Sequence, residues 1–223
     1  MKEHFTHHFE ILPEAQRTVW PHLARFKERF VLYGGTALAL RLGHRQSIAF
    51  DFFSEKPLEH RWIADILPET VNSSILQSGQ NTYTVLLQPD DDYVKLSFFG
   101  DIDFGRIGEP GYTENDTLLV ASLKDLLATK VKVLMQRIEK RDYIDIAAIL
   151  SHGLSLAEGL AGASSLFGRE FSPSDCLRAL QYFDEPSLSD LEDSVKGTLK
   201  DAVKEVLEMA SLPKIEIKSF SLG

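Results

Sequence analysis

The chain has 223 residues, 43% of them hydrophobic, a single cysteine (Cys176) and a formal charge of −9. That length and composition suit one ordinary domain or two small ones with a packed core. They exclude a disulfide scaffold, a cysteine-based zinc centre within one chain and nonspecific nucleic-acid binding by the whole surface.

The N-terminal stretch "MKEHFTHHFE" has no apolar leader core. No run of about eighteen apolar residues predicts a membrane helix. A cytoplasmic protein without a membrane partner is expected. From Arg17 to Arg45 there are six Lys/Arg against one acid, and from Ser122 to Arg141 six against two. From Glu170 to Ser211 the balance reverses to ten acids against four bases. Solvated helix faces explain such runs, and so does one local site for a polyanion.

In chain order, Pro13 to Arg29 reads as an amphipathic helix, with Ala15, Val19, Leu23 and Phe26 at helical spacing. "FVLY" is a short strand ended by Gly34 and Gly35. Thr36 to Leu42 is a short helix stopped by Gly43. "SIAFDFF" is a strand, with Ile48, Phe50 and Phe52 on one face and Ala49, Asp51 and Phe53 on the other. Leu58 to Leu67 is a helix ended at Pro68.

"SSILQS", "TYTVLLQ" and "YVKLSFF" then form an antiparallel meander, with Gly79-Gln80-Asn81 and Pro89-Asp90-Asp91-Asp92 as turns. "TLLVA" is a last short strand. Helices follow over Ser122 to Glu139, Asp142 to Ser151, Ser155 to Phe167, Ser174 to Phe183 and Asp193 to Ala210. The tail "PKIEIKSFSLG" is expected to be extended and peripheral. Strands in the first half and helices in the second predict an α+β protein, with a mixed or antiparallel sheet lobe over residues 1–118 and a helical lobe over 119–223.

Gly34-Gly35-Thr36 lets backbone approach a ligand closely, and the helix behind it offers free N–H groups to an anion. A tight turn before an N-capped helix needs the same residues. Arg45, in the loop before the Asp51 strand, is placed to meet a phosphate. His44 reads as a hydrogen bonder that fixes the loop. His4, His7 and His8 lie in an end expected to be mobile.

In the first long helix of the second half, Leu123, Leu126, Leu127, Val131, Leu134 and Ile138 form the apolar stripe. Lys130 sits at its edge and Arg137 two turns on. "DYIDIAAILS" is apolar almost all round except Asp142 and Asp145, so these acids need partners. An interhelical ion network and a phosphate-binding role for Lys130 supported by Asp145 both fit this spacing.

"GGTALALRLGHRQSIAFDFF" resembles the opening motif of the AbiEii/AbiGii-type nucleotidyltransferase toxins, members of the polymerase-beta-like nucleotidyltransferase superfamily. "LLATKVKVLMQRIEKRDYIDIAAIL" resembles their helical block, with Lys130, Arg137, Arg141, Asp142 and Asp145 in its pattern. The two blocks cover about residues 30 to 150, and nothing transfers beyond about 155.

The resemblance implies a Mg²⁺-dependent transfer from an NTP onto RNA, such as the tRNA acceptor end, with a protein antitoxin as partner and phage defence as setting. It assigns the triphosphate to Gly34, Gly35 and Thr36, with Arg45 and Arg137 as further nucleotide contacts. It assigns metal to Asp51, phosphate to Lys130 and support of the site to Asp145. The chain departs from the family's Asp-x-Asp strand at Ala49, where the first acid belongs, and carries Ser97 where a later strand supplies a third. Mg²⁺ binding is therefore expected to be weak or lost and the activity impaired. Asp101 and Asp103 are candidate substitutes, although "GDIDFG" also reads as a polar turn. The competing reading is a non-catalytic module on the same fold that binds nucleotide, RNA or protein.

Overall fold

A computed structural model describes residues 3–67, 72–89 and 91–220. Pro68 and Asp90 of the expected helix end and turn lie outside the described residues. The chain divides into two compact units, Met1–Asp103 with Glu109–Ser122 and Phe220–Gly223, and Phe104–Gly108 with Leu123–Ser219. The strand from "TLLVA" closes the first unit because it pairs inside its sheet.

The first unit is built on one eight-stranded mixed sheet. Its strands are β1 (His4–Phe5), β2 (Val31–Tyr33), β3 (Ala49–Phe53), β4 (Asn72–Gly79), β5 (Thr82–Gln88), β6 (Val94–Phe99), β7 (Gly111–Thr113) and β8 (Leu119–Val120). They run in the order β1-β7-β8-β2-β3-β6-β5-β4. β4, β5 and β6 form the antiparallel meander, and β3 lies parallel to β6.

One face is the core. Phe50 and Phe52 of β3 and Leu96 and Phe98 of β6 are buried there. Phe26 packs on Phe98 at 4.9 Å and on Phe52 at 5.3 Å between ring centroids. Such ring pairs add about 0.5–1.5 kcal/mol each beyond the area they bury. The strand period of two then fixes the other face, which carries Ala49, Asp51 and Phe53.

Helices α1 (Glu14–Val19), α2 (Gly34–Leu42) and α3 (His60–Ile66) belong to this unit. The helix expected over Pro13 to Arg29 is two pieces, α1 and a 3₁₀ run over Trp20–Arg25. Pro21 has no N–H to donate, and the tighter turn accommodates it. Both glycines of the expected turn lie inside α2. Gly43, at φ +62°, ends that helix, and its N–H donates to the Ala39 carbonyl. The Arg41 guanidinium holds α2 to the sheet through the carbonyls of Ala121 (2.6 Å) and Val120 (3.0 Å).

Two expectations are corrected here. Ile48 lies outside β3 and is 66% exposed, so it does not share the core face of Phe50 and Phe52. The segment that carries His4, His7 and His8 is built into the fold: β1 pairs with β7, and buried His7 stacks on Trp20. Two- and three-residue strands carry too few positions for alternation to show.

The second unit is helical, with α4 (Leu123–Val133), α5 (Lys140–Ser151), α6 (Leu156–Phe167), α7 (Pro173–Ala179) and α8 (Asp193–Glu208). α4 stops six residues before Glu139, so Arg137 is not on its stripe. Ser155 and Glu158 cap α6 reciprocally, the Ser155 N–H donating to Glu158 at 3.0 Å. That bond holds the Glu158 carboxyl below its usual range. Asp125, only 2% exposed, accepts the N–H groups of Ile107 (2.7 Å) and Gly108 (3.1 Å), anchoring Phe104–Gly108 against α4 within this unit.

The tail is less peripheral than its sequence suggests. Arg106 and Lys218 exchange two backbone hydrogen bonds, and Phe220 is buried against Tyr33. No single helix among the described residues is long and apolar enough to cross a membrane.

Candidate functional site

The first unit gathers Gly34, Gly35, Thr36, Arg45 and Asp51. Tyr33 ends β2, and Gly34 enters α2 at φ +76°, a conformation that L-residues rarely adopt. A Cβ at Gly34 would overlap Oδ2 of Asp51. The Asp51 carboxylate thus lies directly against the glycine backbone. A Cβ at Gly35 would stand 2.8 Å from Nη2 of Arg45 and 3.0 Å from Oγ of Ser47. One acid, one guanidinium and one hydroxyl therefore meet at the first turn of α2, which holds no acidic residue.

Thr36 has a different position. Its side chain is fully buried, and its hydroxyl donates to the Ala49 carbonyl at 2.5 Å. That bond ties the first turn of α2 to β3. With the whole residue at 0% exposure, Thr36 supports the turn from beneath, and Gly34 and Gly35 are its half-buried positions.

Strand register places the neighbours of Asp51. It pairs with Tyr33 on β2 and with Ser97 on β6. Ser97 pairs in turn with Thr84 on β5, and Thr84 with Gln77 on β4. One polar row thus crosses four strands and contains a single carboxylate. One level along, Ala49 is in register with Lys95.

The donor set can be tested against the expected Mg²⁺. Magnesium requires near-octahedral oxygen ligands, and a two-metal centre requires carboxylates that bridge or flank both ions. Here Asp51 stands between a methyl at Ala49 and a hydroxyl at Ser97, with an ammonium opposite the methyl. Among the described residues no group of three His, Cys, Asp or Glu side chains can hold a metal ion. The residues present do not fit a two-metal centre. Asp101 and Asp103 are exposed and follow the end of β6. Asp101 has φ +51°, and its N–H donates to the Lys56 carbonyl at 3.1 Å, the geometry of a polar turn.

The second unit holds the other expected residues. Lys130 of α4 places Nζ 2.7 Å from Asp142 Oδ1 and 2.6 Å from Asp145 Oδ2, both acids on α5. Lys130 is 7% exposed and both aspartates are fully buried. Arg137 reaches Asp142 at 3.0 Å from the segment between the helices. Two cations thus balance two buried carboxylates, which is what buried acids require. An ammonium has three N–H donors, and this clasp uses two of them. Arg141 turns away to Glu139 at 2.6 Å.

Beside this network, Tyr143 is pushed up to about 12 by burial, with Cys176 and nearby acids adding to it. Burial also pushes the Cys176 thiol up to about 12, so it is not a nucleophile at neutral pH. Reading the sequence missed Ser47, Lys95 and the anchoring role of Asp125. The alternation of "YVKLSFF" does place Lys95 and Ser97 on one face, and strand register alone brings that face beside Ala49 and Asp51.

Comparison with known proteins agrees with this architecture. A family model for the nucleotidyl transferase AbiEii toxin of type IV toxin–antitoxin systems matches residues 22–210. An uncharacterised protein of Aquifex aeolicus (strain VF5) is 31% identical over 188 residues, covering 80% of this chain and 88% of the relative. The crystal structure of JHP933 from Helicobacter pylori is similar in fold, with TM-score 0.56 at 18% identity over 87% of this chain and 91% of that one. MenT4, a nucleotidyltransferase toxin of Mycobacterium tuberculosis H37Rv, superposes with TM-score 0.62 at 11% identity over 87% of this chain and 82% of its own. With the matched model spanning both units and the glycine-to-Asp51 block inside it, the chain belongs to the AbiEii family of nucleotidyl transferase toxins.

Proposed function

We propose that the first turn of α2 and the half-buried face of β3 that carries Asp51 form a nucleoside triphosphate seat whose metal pair is missing. The observation that carries this is the packing of the Asp51 carboxylate on Gly34, with the methyl of Ala49 at the other acid position. Gly34 and Gly35 would face phosphate oxygens, with Arg45 as a charged contact and buried Thr36 holding the turn to β3. Asp51 would orient the ligand. In the second unit, Asp145 and Asp142 hold the Lys130 amine in place and leave its third N–H for an anion. Arg137 serves that clasp through Asp142.

For an intact member we propose transfer of a nucleotide onto RNA, with the tRNA acceptor end as acceptor and a protein antitoxin as partner. This chain would perform the transfer poorly. Ala49→Asp restores the carboxylate pair at the positions that face one way on the strand. Label from one of the four NTPs should then reach total tRNA in the presence of Mg²⁺. We expect a gain on the order of 100-fold or more over the unaltered chain, the scale of a transition-state charge contact. Equal transfer by both proteins would show that Ala49 is not the defect.

The single carboxylate also supports a second reading, a non-catalytic nucleotide-binding or RNA-binding module. Under that reading both proteins bind NTP or RNA with and without Mg²⁺, and neither transfers label.

A further inference from the structure

β6 lies between β3 and β5, an interior position in the sheet. Side chains on interior strands are usually covered on at least one face, yet Lys95 is exposed. It is the register partner of Ala49, one step of two residues from the Asp51–Ser97 pair. Register partners on adjacent strands project to the same face, with backbones about 4.8 Å apart. The lysine stem therefore stands beside the Ala49 methyl, whose backbone Thr36 fixes to the first turn of α2. Among the described residues the Lys95 side chain makes no hydrogen bond or ion pair.

A carboxylate at position 49 would neutralise this ammonium. With alanine there, the charge is unopposed on its own strand pair. The face consequently offers Lys95 and Arg45 as cations against the single acid Asp51. That balance is the reverse of what collects divalent ions and suits a polyanion. A lysine ammonium is a compact point charge on a flexible stem and can follow a phosphate chain.

We propose that Lys95 binds the triphosphate group of the ligand directly, in the place where a metal ion would otherwise carry the positive charge. The seat then takes a nucleoside triphosphate without a divalent cation. This rests on the reading of the β3 face as the nucleotide seat.

The test is calorimetric titration of the full chain, of Lys95→Gln and of Ala49→Asp with each NTP and with inorganic triphosphate, in EDTA and in Mg²⁺. The unaltered chain should bind at least as tightly in EDTA as in Mg²⁺. Lys95→Gln should weaken binding in EDTA about tenfold, as expected for loss of one charge-assisted contact. Its melting temperature should not move, because the side chain is exposed. Ala49→Asp should make binding depend on Mg²⁺, because the new acid pairs with Lys95 when no metal is present. Tighter binding of NTPs than of inorganic triphosphate identifies a nucleotide seat, and equal binding identifies a seat for the triphosphate group alone. Unchanged binding by Lys95→Gln, or binding by the unaltered chain only with Mg²⁺, overturns the role of Lys95 and leaves the seat standing. No binding by the unaltered chain under either condition overturns the seat itself.

Discussion

Lys130→Met should destabilise the protein by about 3–5 kcal/mol, the usual cost of stripping one partner from a buried ion pair. The reason is the burial of its two acids. Asp142 and Asp145 are fully buried, and Lys130 meets both, at 2.7 Å and 2.6 Å. Methionine fills the same volume but leaves the Asp145 charge without this counterion. Asp142 keeps the Arg137 guanidinium. A fall in melting temperature of about 10 °C is expected for a chain of this size. Adding Asp145→Asn to Lys130→Met removes the stranded charge and should recover part of the loss. A double-mutant cycle should show coupling of about 1–3 kcal/mol between the two positions. If Lys130→Met melts at the same temperature as the unaltered protein, the clasp is not what holds α4 to α5.

Gly34→Ala should be the most damaging small substitution in the first unit. Two costs add. A side chain at φ +76° carries backbone strain of about 1–3 kcal/mol. The new Cβ also overlaps the Asp51 carboxylate, which has to swing off its position against α2. Stability should drop by both costs, and nucleotide binding should fall at least tenfold by the second. The two are separable. Asp51→Ala in the Gly34→Ala background removes the colliding oxygen but leaves the φ strain. The double variant should therefore regain the part of the stability lost to crowding, and no binding. Thermal melts and calorimetric titration of the single and double variants check this. Unimpaired binding by Gly34→Ala would show that the Asp51 carboxylate need not stay against the glycine.

Much of this architecture is legible in the sequence because its signals are local. The Gly34-Gly35 break, the αL stop at Gly43, and the alternation of Ala49 to Phe53 each follow from residues adjacent in the chain. The same holds for the meander and for Asp142 and Asp145 in an apolar helix, which announce that they need partners. What stays hidden depends on distance along the chain. β1 and β7 are too short to show alternation. Pro21 turns an apparent single helix into two pieces, and α4 ends at Val133 although its apolar spacing continues to Ile138. Arg137 therefore reaches Asp142 by a route that helical spacing does not give. In the same way, Thr36 reads as part of the triphosphate seat until it is seen buried, with its hydroxyl spent on the Ala49 carbonyl of β3. Lys95 is invisible as a candidate until the parallel pairing of β3 and β6 sets it beside Ala49.

Everything proposed for the first unit rests on a triphosphate seat at Gly34 and Gly35 whose metal pair is broken at Ala49. The most direct measurement is a pair of crystal structures, of the unaltered chain and of Ala49→Asp, each soaked with a non-hydrolysable NTP and Mn²⁺ and recorded with anomalous data. Phosphates are expected against the first turn of α2 in both, and anomalous metal peaks beside Asp51 only in Ala49→Asp. A triphosphate bound away from Gly34 and Gly35, or paired metal peaks at Asp51 in the unaltered chain, would contradict that expectation.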